Sequence, residues 1–242
     1  MLATATPRLE RSNTVTQANE KTDTMLPYWQ VNVSLSDRVT ECPIFLQNLS
    51  PKDKSILSTK DEDYHIQTWS EVKEIVASHR LDAFQRVPSN LRRYLCYIHH
   101  LRQTYGSVLN FMLMYRLGWN EPVTPRGTKP FQDASDVKVL LNDWPYGVDK
   151  RIVHLVVWSK FELKGDEETE LMTEETRCLI HDYVDRTFCG AIPPENVIWF
   201  KNWNTLKSVQ SVEHFHVMLF DPDVDFVRKV TNGDQPICDN FS

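Results

Sequence analysis

Apolar residues fall into two regimes along the chain. Between Trp69 and Leu117 they recur at helical spacing, and from Val137 onward they gather in short valine-rich runs, so helices are predicted first and strands afterwards. Thr68 and Glu71 have the spacing of a capping box, followed by Trp69, Val72, Ile75 and Val76 on one face, which predicts a helix over about 69–79. Pro88-Ser89 opens a second helix, whose apolar stripe is Leu91, Tyr94, Leu95, Ile98 and Leu101. Tyr105-Gly106-Ser107 breaks it. Val108–Leu117 is almost wholly apolar and is read as helix for its Leu and Met content. Trp119–Phe131, with three prolines, reads as a loop.

Val137–Leu141 and Ile152–Trp158 are strand candidates on either side of the turn Asn142-Asp143-Trp144-Pro145-Tyr146-Gly147. An acidic loop covers 166–170. Thr173 opens a helix that runs to about Phe188, with Cys178 or Leu179, Tyr183 and Phe188 expected inward, and Pro193-Pro194 stops it. Val197–Lys201 and Val212–Phe220 complete the strands, and a short helix and polar tail follow Pro222. Upstream, residues 1–25 are rich in Thr, Asn, Gln and Glu and are expected to form a disordered tail. Order is expected from Pro27–Trp29, with 28–64 an irregular segment pinned by its aromatics. The expectation is one α+β domain over 26–242, with a helical part at about 65–118 and an antiparallel sheet within about 136–230.

Composition narrows the functions. The chain has 242 residues, a net charge of −6, 7 glycines, 13 prolines and 7 tryptophans. Mild acidity argues against nucleic-acid binding, and Arg92, Arg93 and Arg102 read as solvated helix faces. No GxGxxG or GxxxxGK[ST] string occurs, so no Gly-rich phosphate loop is present. Five widely spaced cysteines without CxxC fit reduced thiols in a cytoplasmic or nuclear protein, of which cytoplasmic is the expectation, better than a disulfide framework or zinc knuckle. No apolar run is long enough for a membrane span. No cofactor motif is found, and no cofactor or metal is expected.

The candidate chemistry lies in Ser211-Val212-Glu213-His214-Phe215-His216-Val217-Met218. Residues two apart on a strand share a face, so His214, His216 and Met218 point one way while Phe215, Val217 and Leu219 point to a core. Paired imidazoles ligate a metal when further ligands complete the set, or act as nucleophile, base and orienting partner. Asn202, Asn204, Lys207, Gln210 and Ser211 just upstream add amide, hydroxyl and ammonium groups suited to phosphate. A satisfied core pair beside a polar loop is the alternative. The adjacent His99 and His100 sit about 100° apart on a helix and cannot share a ligand. His154 reads as a core histidine, or as a neighbour of the His216 pocket.

Several longer motifs occur in order: Tyr28-Trp29, Glu41-Cys42-Pro43, Pro88-Ser89-Asn90-Leu91-Arg92-Arg93-Tyr94, Tyr105-Gly106-Ser107, Asn142-Asp143-Trp144-Pro145-Tyr146-Gly147, His154-Leu155-Val156-Val157-Trp158-Ser159-Lys160, Trp199-Phe200-Lys201-Asn202-Trp203 and His214-Phe215-His216-Val217. Over about Pro27 to Asp223 the chain thereby resembles the fungal N-acetylglucosamine-induced protein family, which carries a domain of unknown function. The resemblance implies an intracellular fungal protein connected to amino-sugar response. Within about 137–221, Asp143-x-Pro145, His154-Leu155-Val156-Val157-x-x-Lys160 and Gln210-Ser211-Val212-x-His214-x-His216-x-Met218 are similar to motifs of the histidine-triad superfamily. That likeness implies a histidine-triad-like C-terminal half behind a helical N-terminal extension. It also implies a nucleotide hydrolase or nucleotidyl transferase in which His216 attacks phosphorus beside His214. Ser211 and Gln210 match phosphate-contacting positions, and Asn202 or Asn204 the loop asparagine. Met218 stands where the superfamily has its third histidine, and Phe161 where a histidine follows the strand lysine. The alternative expectation is a non-catalytic sensor or scaffold that binds a nucleotide or nucleotide-sugar.

Overall fold

The structure, a computed structural model, describes residues 26–165, 172–202 and 212–241. Its architecture is α+β, with a four-stranded antiparallel sheet between helical layers. Strands β1 (Val137–Leu141), β2 (Ile152–Ser159), β3 (Val197–Phe200) and β4 (Glu213–Phe220) lie in the order β1-β2-β4-β3. The two long strands are therefore central, which matches their nearly unbroken apolar sequences. Their register pairs Val156 with His216, His154 with Met218 and Trp158 with His214.

One sheet face carries Leu155, Val157, Phe215, Val217 and Leu219, all fully buried beneath helix α5 (Glu174–Val184). The contact face of α5 is Ile180 and Val184, continued by Phe188 in a wide π turn, and Cys178 is exposed. Of the residues expected inward, Phe188 is fully buried and Leu179 and Tyr183 pack against this core, so Leu179 and not Cys178 is the inward alternative. Residues four apart meet the sheet. Each fully buried aliphatic or aromatic side chain here contributes roughly 1.5–3 kcal/mol.

The other face holds His154, Val156, Trp158, His214, His216 and Met218, with Leu140 and Phe200 alongside. Three helices cover it: α2 (Trp69–Ala77), α3 (Pro88–Tyr105) and α4 (Val108–Phe111), the last widening into a π-helical stretch over Met112–Leu117. The capping box at Thr68 and Glu71 forms as expected. Val72 and Ile75 of α2 cover Met218 and Phe200, while Tyr97 and Leu101 of α3 with Phe111 cover Val156 and Trp158. The histidines lie at the seam between these two apolar clusters.

Two expectations change. Residues 28–64 hold a further helix, α1 (Pro51–Leu57), besides short 3-10 turns. Ser-Pro is as common in turns as at helix starts, and here the Ser50 side chain accepts the Asp53 amide and Pro51 opens the helix. The segment after α6 (Val224–Val230) is not a loose polar tail. Asp234 pairs with Arg116 at 2.7 Å and accepts the Leu141 amide at 2.9 Å. Arg93 donates to the carbonyls of Cys238 and Phe241, and the Phe241 ring packs on Tyr97 at 4.9 Å. The 1–25 tail and the acidic loop 166–170 lie outside the described residues.

Candidate functional site

The seam between helices and sheet holds a partly open cavity of about 130 Å³. Its polar end is formed by Arg86, Asn142, Tyr146, Asn202, His214 and His216. Its apolar end lies against α3, α4 and the strand residues Val156 and Trp158.

His216 is 6% exposed, and both of its ring nitrogens are engaged. Its Nδ1 lies 3.0 Å from Nε2 of His154, and its Nε2 lies 3.0 Å from Nδ2 of Asn202. The His154 partnership follows from register: His154 sits two residues along β2 from Val156, the residue opposite His216. The third imidazole beside the pair therefore comes from the neighbouring strand. Met218 is fully buried under α2.

Asn142 sets the proton arrangement. Its Oδ1 accepts the Trp144 amide at 2.9 Å, so its Nδ2 faces His154 as a donor, 3.2 Å from Nε2 and 3.3 Å from Nδ1. A donor there opposes a proton on both nitrogens of His154. Burial lowers the His154 pKa to about 3, and the nearby Arg86 charge adds to this. Burial, with His154, His214 and Arg86, lowers His216 well below its ordinary value as well. One proton lies between Nδ1 of His216 and Nε2 of His154, and with both pKa values lowered the two rings are neutral. His214 donates from Nδ1 to the Val212 carbonyl at 2.9 Å and packs in a tilted arrangement on Trp158 at 4.4 Å between ring centres.

Arg86 lies in the connection between α2 and α3. Its Nε donates to the Trp144 carbonyl at 3.0 Å, and its guanidinium covers the Tyr94 ring at 4.0 Å and faces Tyr146 at 5.6 Å. Tyr146 is itself stacked on Phe84, and Phe84 on Phe200, so aromatic faces fix the wall that Arg86 lies against. Gly147 permits this turn, because a Cβ there would run into the Tyr64 ring. Among the described residues no carboxylate pairs with Arg86. Asp143, the acidic residue on the cavity wall, pairs with Arg116 at 2.9 Å, and Arg116 also binds Asp234. Burial pushes the Asp143 carboxyl up, while Arg116 and the Ile237 amide hold it down.

Of the residues expected to form the site, His214, His216 and Asn202 meet at one end of the cavity. Asn204, Lys207, Gln210 and Ser211 lie outside the described residues. Arg86, Asn142 and Tyr146 were not foreseen. The Asn142 amide has a local signal, a side chain that caps the turn two residues on. Arg86 has none, because its role depends on the approach of α3 to the sheet. Among the described residues no group of three His, Cys, Asp or Glu side chains is arranged to hold a metal, and no helix is long and apolar enough to cross a membrane.

An α+β fold whose sheet buries a neutral histidine pair at the end of a small cavity defines the structural class. The chain belongs to the family described as "Protein of unknown function (DUF3605)", whose model matches residues 68–220. That span includes Arg86, Asn142, His154, Asn202 and His216. The motif likeness to N-acetylglucosamine-induced proteins holds as well: the chain is 29% identical over 185 residues to N-acetylglucosamine-induced protein 1 of Candida albicans, covering 69% of this chain and 73% of that protein. It is 28% identical over 174 residues to the uncharacterized protein YPL067C of Saccharomyces cerevisiae, covering 70% and 86% respectively. Among solved structures, the crystal structure of HTC1 is similar with a TM-score of 0.57 and 26% identity, over 72% of this chain and 96% of that one.

Proposed function

We propose that this protein is a binding protein for a small anionic ligand, held in the cavity by Arg86 without chemical conversion. One observation carries this reading: a half-buried guanidinium, clamped by aromatic faces at the polar end of a cavity, with no carboxylate partner among the described residues. Such a charge is costly to desolvate, and an anion arriving from solvent offsets that cost. The histidine pair is occupied with Asn142 and Asn202, so this reading asks no proton transfer of it. The name of the Candida albicans relative records induction by N-acetylglucosamine, so amino-sugar phosphates and nucleotide-sugars belong among the ligands to try.

Thermal unfolding of the wild type and Arg86→Gln, with inorganic phosphate, AMP, glucosamine 6-phosphate, UDP-N-acetylglucosamine and simple carboxylates, tests the proposal. A ligand at a hundred times its Kd stabilises by about 2.7 kcal/mol, which is readily seen as a rise in Tm. At least one anion is expected to stabilise the wild type and not the variant. If none does, the reading fails.

A second reading, a histidine-triad-like nucleotide hydrolase or nucleotidyl transferase, draws support from the neutrality of His216. Its Nε2 would form a bond to the α-phosphorus as the bond to the leaving oxygen breaks. That nitrogen is hydrogen-bonded to the Asn202 amide at 3.0 Å, so attack requires Asn202 to withdraw first. An acid-labile labelled adduct that forms with nucleotide and is lost in His216→Ala would establish this reading over the binding one.

A further inference from the structure

The cavity walls also bear on what carries the anion, provided Arg86 is the anchor proposed above. Among the lining residues, Arg86 contributes the one permanent positive charge without a carboxylate partner among the described residues. The other permanent charge on the wall is the Asp143 carboxylate, matched by Arg116, which Asp234 shares. His154 and His216 add no positive charge, because the Asn142 amide faces His154 as a donor and His154 shares a single hydrogen bond with His216. A ligand with one negative charge is therefore balanced. A second negative charge would find no second permanent cation on the wall, in a space that already holds Asp143.

Size and polarity constrain the rest of the ligand. The space of about 130 Å³ is close to the roughly 150 Å³ of an apolar cavity that admits benzene. It is well below the roughly 300 Å³ at which pockets for drug-sized ligands begin. Leu101, Val108, Phe111, Met112 and Val156 line the end away from Arg86, and none of them offers a side-chain hydrogen bond. We infer that the ligand is a monocarboxylate with a compact apolar body, a single ring or a branched chain. Its carboxylate lies on the Arg86 guanidinium and its body against α3 and α4. Planar carboxylate and planar guanidinium match in a two-bond fork, which also accounts for arginine here rather than lysine.

Titration calorimetry on the full chain at about pH 7.5 separates the possibilities. The probes are benzoate, the neutral benzamide and phenyl phosphate, whose second proton is largely lost at that pH. Benzoate is expected to bind the wild type, with benzamide and phenyl phosphate at least tenfold weaker. Arg86→Gln is expected to weaken benzoate by roughly ten- to a hundredfold, the range for a hydrogen bond to a charged group, and Arg86→Lys to recover part of the loss. Recovery by lysine ties the loss to charge even if the glutamine variant is less stable. Phenyl phosphate binding as tightly as benzoate would overturn the monocarboxylate inference and leave the anion site standing. So would binding of a larger phosphorylated ligand without benzoate. Benzamide equal to benzoate in both proteins, or no binding by any anion, would overturn the inference and the anion site together.

Discussion

Acidification gives a direct test of the buried histidine pair. At about pH 7.5 His154 is neutral in the folded and unfolded chain alike. The unfolded ring takes up a proton near its ordinary value of about 6.5, whereas in the folded protein burial and Arg86 bring the pKa to about 3. Between these values the unfolded state binds more protons, so stability present at higher pH is lost as the pH falls below about 6.5. At about pH 5 the loss from His154 is about 2 kcal/mol, from about 1.5 pH units at about 1.4 kcal/mol each. His216 is lowered for the same reason and adds in the same direction. Glu71 and Asp149, whose pKa values are lowered by hydrogen bonds from Thr68 and Arg151, lose their contributions only below the ordinary carboxyl range, so this window excludes them. Urea unfolding followed by tryptophan fluorescence at both pH values, on the wild type and His154→Gln, measures the effect. The wild type is expected to lose about 2 kcal/mol or more, and the variant less by about that amount. Equal stability of the wild type at the two pH values, or an undiminished loss in the variant, would refute the neutral pair.

Three further outcomes are expected. Met218→His restores the spacing of a histidine triad, but it puts a polar ring among Val72, Ile75 and Phe84, opposite an already engaged His154, and should cost about 1–3 kcal/mol in urea unfolding. Arg116→Met leaves the Asp143 and Asp234 carboxylates buried without their cation and should cost about 3–5 kcal/mol, with faster hydrogen exchange over 231–241, where Asp234 is anchored. Thr68→Ala removes the capping-box hydroxyl of α2 and should lower thermal stability by about 1 kcal/mol.

The elements were legible where local signals agree. Thr68 and Glu71 announced α2, and the alternation through His214, Phe215 and His216 gave both the strand and its two faces. Helix α1 was missed because Ser50-Pro51 serves turns and helix starts equally well, and the choice rests on burial of Ile56 and Leu57 against Leu46 and Leu91. The face of α5 was legible through Leu179, Tyr183 and Phe188, while the choice between Cys178 and Leu179 rested on phase, which is set by what the helix packs against.

The site divides along the same line. That His214 and His216 share a face, and that Met218 interrupts a triad, follow from a period of two within one strand, so the sequence alone determined them. That His154 is the partner of His216 depends on the register of two strands about 60 residues apart, which no local pattern encodes. That Arg86 faces the same cavity depends on α3 folding back over the sheet. Chemistry carried within one strand can be read from its residues. Chemistry assembled from a loop, a turn and two strands exists only once hydrophobic burial has brought them together.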